Sequence, residues 1–260
     1  MLEAVLQQPM VEAPSRVHDV ILQLLRWAHF FFGIAWIGHL YYFNFVQSHA
    51  EKALGPDQKK IVVPNFRGRA IWWFRWGAML TFLTGLGYIL YQEFFTAASP
   101  FEGWLSFESA GGKRGAGFGN IWILFGGILG TIMWFNVWFV IWPRQKVIIP
   151  AVAGLQPKPA DFDQLVAVAG KFSRINTYLS VPMLFGMGGR SHFPIAETAG
   201  GAIAWVVGVF VVGFAIAYHV VNSVGSKVGT EFVPPAPPAA PPAAAPPAAP
   251  PAPPPAPAAK

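Results

Sequence analysis

Four of the six histidines in this 260-residue chain, His29, His39, His192 and His219, lie inside or at the rim of long apolar stretches. Holding an ionisable ring at that depth in hydrocarbon is costly, so the first reading of each is chemical: a proton site, a ligand contact or a metal ligand. The chain has no cysteine, which excludes disulfides, thiolate metal sites, iron–sulfur ligation of the usual kind and covalent haem attachment through CxxCH. Met183 and Met187 offer thioethers, but methionine on a membrane helix ordinarily packs. Imidazole is therefore the ligand to follow.

The elements that carry these rings are five apolar stretches, Val20 to Val46, Ala70 to Phe94, Gly119 to Trp142, Phe172 to Gly189 and Gly200 to Val224. Each is long enough to cross about 30 Å of hydrocarbon as a helix. Hydrophobic residues make up 54% of the chain and charged ones 12%, and tryptophans stand near several segment ends, where an amphipathic ring suits the interface. The first stretch is too long and too aromatic for a signal peptide and is expected to stay as a helix. The reading is an all-α, polytopic transmembrane bundle of about five spans over 20–225, after an N-terminal segment, 1–19, and before a tail, 226–260.

From Pro234 onward that tail is almost wholly proline and alanine. Such a composition builds no packed core and favours extended polyproline conformations, so a disordered tail is expected, reaching at most about 80 Å at roughly 3.1 Å per residue. It reads as a tether or partner-binding tail, or as a plain solvated terminus. The glycine-rich run GGKRGAGFG, 111–119, lacks the GK[ST] ending of a phosphate loop and reads as a flexible loop.

Charge sets the expected orientation. Lys52, Lys59, Lys60, Arg67 and Arg69 fall between the first two spans, and Arg144, Lys146, Lys158, Lys171 and Arg174 between the third and fourth; the other two connections hold only Lys113 with Arg114, and Arg190. The positive-inside rule makes the two basic connections cytoplasmic, with the N-terminus outside and the C-terminus inside. The net charge of +6 thus reports topology and not a nucleic-acid surface.

Depth then sorts the histidines. His39 lies ten residues beyond His29, about 15 Å deeper at 1.5 Å per residue. This gives an outer pair, His29 with His192, and an inner pair, His39 with His219. Two imidazoles from different helices, one on each face of the macrocycle, are what a b-type haem requires. Arg75, close to the cytoplasmic surface, could pair with propionates, and Gly33, Gly38, Gly85, Gly87, Gly126, Gly127 and Gly130 leave room for a flat ligand. Plainer readings stand beside these: carbonyl-bonded histidines, glycines that let helices approach, and an arginine that snorkels to the interface. His18 and His49, at the ends of the first span, read as solvent-facing. Asn136, Asn176 and Tyr178 need polar partners where water is scarce, and Pro182 should kink the fourth span and open a cavity beside Gly186, Gly188 and Gly189.

The strings RWAHFFFGIAWIG (Arg26 to Gly38), WWFRWGAMLTFLTG (Trp72 to Gly85), GTIMWFNVWFVIWPRQK (Gly130 to Lys146), NTYLSVPMLFGMGGRSHFP (Asn176 to Pro194) and YHVVN (Tyr218 to Asn222) together resemble the N-terminal membrane domain of bacterial cytochrome-c-linked urate hydroxylases, or membrane urate oxidases. The resemblance runs in order from Arg26 to Asn222. It implies oxidation of urate to 5-hydroxyisourate, with electrons delivered to the respiratory chain, and it carries over His29, Asn136, Asn176, Tyr178, Pro182, His192, His219 and Asn222, with Arg75 where the family has a lysine. It assigns no catalytic residue. The family's membrane domain has eight spans and is followed by a cytochrome c domain, whereas this chain shows five spans and no cysteine; His39 falls where the family usually has a small hydroxyl residue.

The expected function is a membrane redox subunit of the bacterial inner membrane, binding b-type haem and relaying electrons, with urate as the candidate source, to a separate cytochrome c or dehydrogenase partner. Candidate contacts for an anionic purine are Arg190 with His192 at the outer rim, or Arg75 with Asn176 and Tyr178 at the cytoplasmic rim. The rival is a non-redox transporter or a scaffold that recruits a partner through its tail; no internal repeat of the kind many transporters carry is visible.

Overall fold

The structure, a computed structural model, describes residues 13–96, 120–192, 199–225 and 227–229. The GGKRGAGFG run and the proline–alanine tail lie outside the described residues. Among the described residues all regular structure is helical and forms five rods. Rod α1 is Ala13–Tyr41 continued by a π-helical turn, Tyr42–Gln47, and by Ser48–Ala53. Rod α2 joins Pro56–Val62, the π turn Val63–Arg67, Gly68–Tyr91 and a last π turn, Gln92–Thr96. Rod α3 is Asn120–Phe135, the π turn Asn136–Ile141 and Trp142–Ala153; α4 is Phe162–His192; α5 is Ala199–His219 with the π turn Val220–Val224.

The all-α bundle expected from the sequence is present, and one feature of it needs correction. The two basic connections are mostly helix. Val17–Ala53 alone is 37 residues, about 55 Å at 1.5 Å per residue, well beyond the roughly 30 Å of hydrocarbon. Lys52, Lys59, Lys60, Arg67, Arg69, Arg144, Lys146, Lys171 and Arg174 therefore stand on helical extensions, and only 154–161 is a non-helical linker among the basic connections besides the turn at 54–55. The turn at 54–55 is short because Gly55 leads directly into Pro56, the first residue of α2, and the Gln58 side chain accepts the Gly55 N–H at 2.9 Å. Rod α3 stops at Gly154, whose φ of 77° is a left-handed conformation that glycine adopts without a Cβ clash.

Rod α4 is central. It packs on α3 along one side and on α5 along another, and touches α1, which pairs antiparallel with α2. Trp36, Leu40, Phe74, Met133, Val137 and Met183 fill the shared core, so Met183 packs, as methionine on such a helix usually does. Backbones of α3 and α4 meet at Gly126 and Gly186: a Cβ on Gly186 would lie 2.8 Å from the Trp122 carbonyl oxygen and 2.9 Å from the Gly126 nitrogen. The space these glycines leave is occupied by the neighbouring helix, not by a flat ligand or by a cavity beside Pro182.

Across this core runs a polar stripe of α4, Ser173, Asn176, Thr177 and Ser180, at the spacing of one helical face. Asn136 Nδ2 donates to Asn176 Oδ1 (2.8 Å) and Asn176 Nδ2 donates to the Met133 carbonyl (3.0 Å), with both asparagines buried. Asn44 Nδ2 donates to Ser173 Oγ (2.9 Å), and the Tyr41 and Ser180 hydroxyls bond at 2.9 Å. The outward faces are the reverse: Phe30, Phe31, Ile203, Val207, Val211 and Val212 are exposed, and Ile34 is 75% exposed. Water would disfavour such a surface and lipid accommodates it. Val17–Ala53, Ile121–Ala153 and Gly200–Val224 are long and apolar enough to cross a membrane; α2 and α4 are as long but carry more polar and glycine positions, among them Arg69, Arg75, Arg174, Asn176 and Thr177.

Because Asn176 both accepts from Asn136 and caps Met133, replacing it strands two groups, whereas replacing Asn136 strands one. Asn176→Leu should cost about 1–3 kcal/mol of stability, and more than Asn136→Leu; thermal unfolding of the two variants in detergent checks the order.

Candidate functional site

Two of the four histidines are oriented by carbonyls. His29 Nδ1 lies 2.9 Å from the Thr81 carbonyl of α2, and His39 Nδ1 lies 2.7 Å from the Ala35 carbonyl of its own helix. A carbonyl only accepts, so each Nδ1 carries a proton, and in the neutral ring Nε2 keeps the lone pair that a metal ligand or proton acceptor needs. The His29 ring lies against Gly85, where a Cβ would come within 2.8 Å of its Cε1. Gly85 is thus a floor for the imidazole and leaves no slot for a macrocycle on that side.

The inner pair is not formed. His39 is two residues from Tyr41, about 200° around the helix; Tyr41 bonds α4, so His39 faces away from α4, into a groove shared with α2. His219 is exposed on α5, which packs on α4. For the outer pair, the side chains of His192 and Arg190 lie outside the described residues. His18 and His49 are not simply solvent-facing: His18 Nδ1 lies 2.7 Å from the Tyr91 hydroxyl, and both rings are half-buried.

The purine contacts expected at the cytoplasmic rim are also separated. Asn176 and Tyr178 point to different sides of α4, Asn176 toward α3 and Tyr178 toward α5, where its hydroxyl accepts from Asn222 Nδ2 at 3.1 Å. Arg75 joins neither, and it does not snorkel freely. Its Cζ sits 3.9 Å from the Trp142 ring centroid, 5.7 Å from Trp138 and 5.9 Å from Trp76. The Trp138 indole N–H donates to the Arg75 carbonyl at 3.1 Å. Cation–π attraction strengthens out of water, to about 2 kcal/mol when desolvated, so this cage fixes the guanidinium.

Arg75 borders a pocket of about 300 Å³ between α2 and α3, with Trp72, Trp142, Gln145, Lys146 and Pro150. Arg75 Nε and Gln145 Oε1 are both buried, and among the described residues neither has a hydrogen-bond partner. One is a donor and the other an acceptor, and both belong to residues that line this pocket. Lys146, 5.8 Å above the Trp142 ring, adds a second positive charge. Gln145 and Lys146 did not emerge from the sequence as site residues; the available signal was WPRQK directly after an aromatic span, with Trp138 and Trp142 at helical spacing.

These features define a helical membrane protein with a cationic, tryptophan-walled pocket at its basic end. Over residues 114–236, which span α3 to α5, the chain matches the family model described as urate oxidase N-terminal. The resemblance seen in GTIMWFNVWFVIWPRQK, NTYLSVPMLFGMGGRSHFP and YHVVN is borne out there; the two earlier strings lie before the match. Neither the curated proteins nor the solved structures yield a match.

Gly85→Ala should push the His29 ring off the Thr81 carbonyl and lower stability by about 1–3 kcal/mol. In a His29→Ala background the same change should cost much less. Thermal unfolding of the two singles and the double measures that coupling.

Proposed function

We propose that the chain is a membrane subunit of a urate-oxidising redox system. In this reading an anionic purine binds in the Arg75 pocket, and its electrons pass to a separate cytochrome c or dehydrogenase partner and on to the respiratory chain. The observation that carries the reading is that Arg75 and Gln145, whose buried Nε–H and Oε1 have no partner among the described residues, both line one cationic, aromatic-walled pocket. Urate presents carbonyl acceptors next to ring N–H donors and spreads a negative charge over a flat rim. A carbonyl would take Arg75 Nε–H, an adjacent N–H would reach Gln145 Oε1, and Lys146 would balance the charge. Gln145, Lys146 and Trp142 lie inside the matched region, whereas Arg75 is supplied by α2 from outside it.

Conversion of urate to 5-hydroxyisourate takes a hydroxyl from water and releases two electrons and two protons, so an acceptor is required. In the absence of cysteine, a b-type haem is the carrier proposed within this chain. His29, whose Nδ1 is engaged by the Thr81 carbonyl, and His192 are the residues that would hold it, on the side of the His29 ring away from Gly85. In this reading the protein lies in the bacterial inner membrane with five spans, N-terminus outside and C-terminus cytoplasmic. The gathering of basic residues at one end of the rods supports that orientation.

Purified full-length protein should bind urate, seen as quenching of tryptophan fluorescence, and should reduce added cytochrome c in a urate-dependent way. Arg75→Gln should weaken urate binding roughly 10- to 100-fold, the range for stranding one buried hydrogen-bonding group. His29→Ala should abolish a reduced-minus-oxidised b-type spectrum while leaving urate binding intact. A colourless wild-type protein that still binds urate removes the haem and keeps the pocket. Failure to bind urate removes the reading and favours a transporter or scaffold.

A further inference from the structure

We propose that a second site, the groove between α1 and the start of α2, holds the headgroup and upper acyl chain of an anionic phospholipid. The groove encloses about 610 Å³. Rods α1 and α2 run antiparallel, as the Glu51–Arg67 ion pair at one end and the His29–Thr81 contact further along require. The groove is therefore graded along its length. Tyr42, Asn65 and Arg69 line its basic end, His39 follows, and Ile34 and Trp73 line the far end. The polar part stands where the helices carry their lysines and arginines, and the apolar part runs toward the lipid-facing surface. A ligand with a charged head and a hydrocarbon body matches that gradient.

Charge chooses among such ligands. Arg69 is exposed and has no hydrogen bond or ion pair among the described residues, and no acidic side chain lines the groove. Three of the basic residues at this end are compensated: Arg67 pairs with Glu51, Lys60 with Asp57 at 3.0 Å, and Arg144 donates to the Val140 carbonyl at 2.8 Å. The groove thus presents an uncompensated guanidinium, which a phosphodiester would neutralise and a zwitterionic headgroup would neutralise less well. Asn65 uses one amide hydrogen on the Ile61 carbonyl and keeps another. His39, with Nδ1–H engaged, offers Nε2 as an acceptor, which suits a headgroup hydroxyl. Phosphatidylglycerol carries both groups. Trp72 and Trp73, both half-exposed just beyond Arg69, set this level at the membrane interface, where a headgroup resides.

Native mass spectrometry of the full-length protein in detergent, titrated with a C16/C18 phosphatidylglycerol, the matching phosphatidylcholine, glycerol 3-phosphate and decylubiquinone, tests the assignment. One phosphatidylglycerol should be retained, roughly tenfold more tightly than phosphatidylcholine, and Arg69→Gln should erase that preference. Gly38→Leu should remove binding altogether, because a side chain there enters open space in the groove; unchanged circular dichroism shows that the bundle survives. Equal retention of the two phospholipids, or an Arg69→Gln variant that keeps the preference, overturns the proposal. So does glycerol 3-phosphate binding as well as the lipid, which marks a soluble-anion site, or displacement of the lipid by decylubiquinone, which marks a quinone site. None of these outcomes depends on urate.

Discussion

The paired amides of Asn136 and Asn176 fix the rest of the bundle. An amide buried in a helical membrane core has no water to turn to, so its donors and acceptors must be met by other helices in one register. Asn176 meets both needs on α3, accepting from Asn136 and donating to Met133. With α3 and α4 so locked, the remaining polar positions of the α4 stripe fall where Tyr41 and Asn44 of α1 reach Ser180 and Ser173. Rod α2 follows α1. The Arg75 pocket is a consequence: it lies where α2, carried by α1, crosses the part of α3 beyond Asn136.

Much of this was legible. Apolar runs marked the five rods, and their order and approximate positions needed nothing but length and charge. The helical extensions were not legible, because a basic, polar stretch such as 47–69 reads as a loop when hydropathy is the signal; here the Glu51–Arg67 pair and packing against α3 keep it helical. The histidines were legible as residues of interest but not as pairs. Depth along a helix follows from counting, whereas azimuth does not: His39 and Tyr41 share a depth and face opposite ways. Gly85 and Gly126 illustrate the same limit, since a glycine marks close approach without saying whether a ring, a helix or a ligand approaches.

The family match sharpens how the pocket divides. Residues 114–236 supply Trp138, Trp142, Gln145 and Lys146, but the caged guanidinium arrives on α2. Without α2, Gln145 and Lys146 would face solvent at a helix surface, where charge is screened and an amide bonds water. Packing α2 against them buries the acceptor and concentrates the positive charge. The α1–α2 hairpin therefore turns a surface of the matched region into one wall of a pocket.

What aims these side chains is a set of π-helical turns. Four of those among the described residues, Tyr42–Gln47, Val63–Arg67, Asn136–Ile141 and Val220–Val224, contain an asparagine. A π turn adds a residue to the helical repeat, rotates the face that follows, and leaves a carbonyl short of its backbone donor. Asn44, Asn65 and Asn222 each donate Nδ2 to the carbonyl four residues back, on Leu40, Ile61 and Tyr218, at 2.8–2.9 Å. The side-chain amide thus replaces the missing N–H without water. In α3 the amide of Asn136 is spent on Asn176 instead, and the rotated face after it carries Trp142, Gln145 and Lys146 toward α2. In α2 the turn at Val63–Arg67 sets the face on which Arg69 meets the groove and, about one and two-thirds turns on, Arg75 meets the pocket. In these four turns an asparagine stands where the helix face changes, and at this end of the bundle the changed faces build both sites.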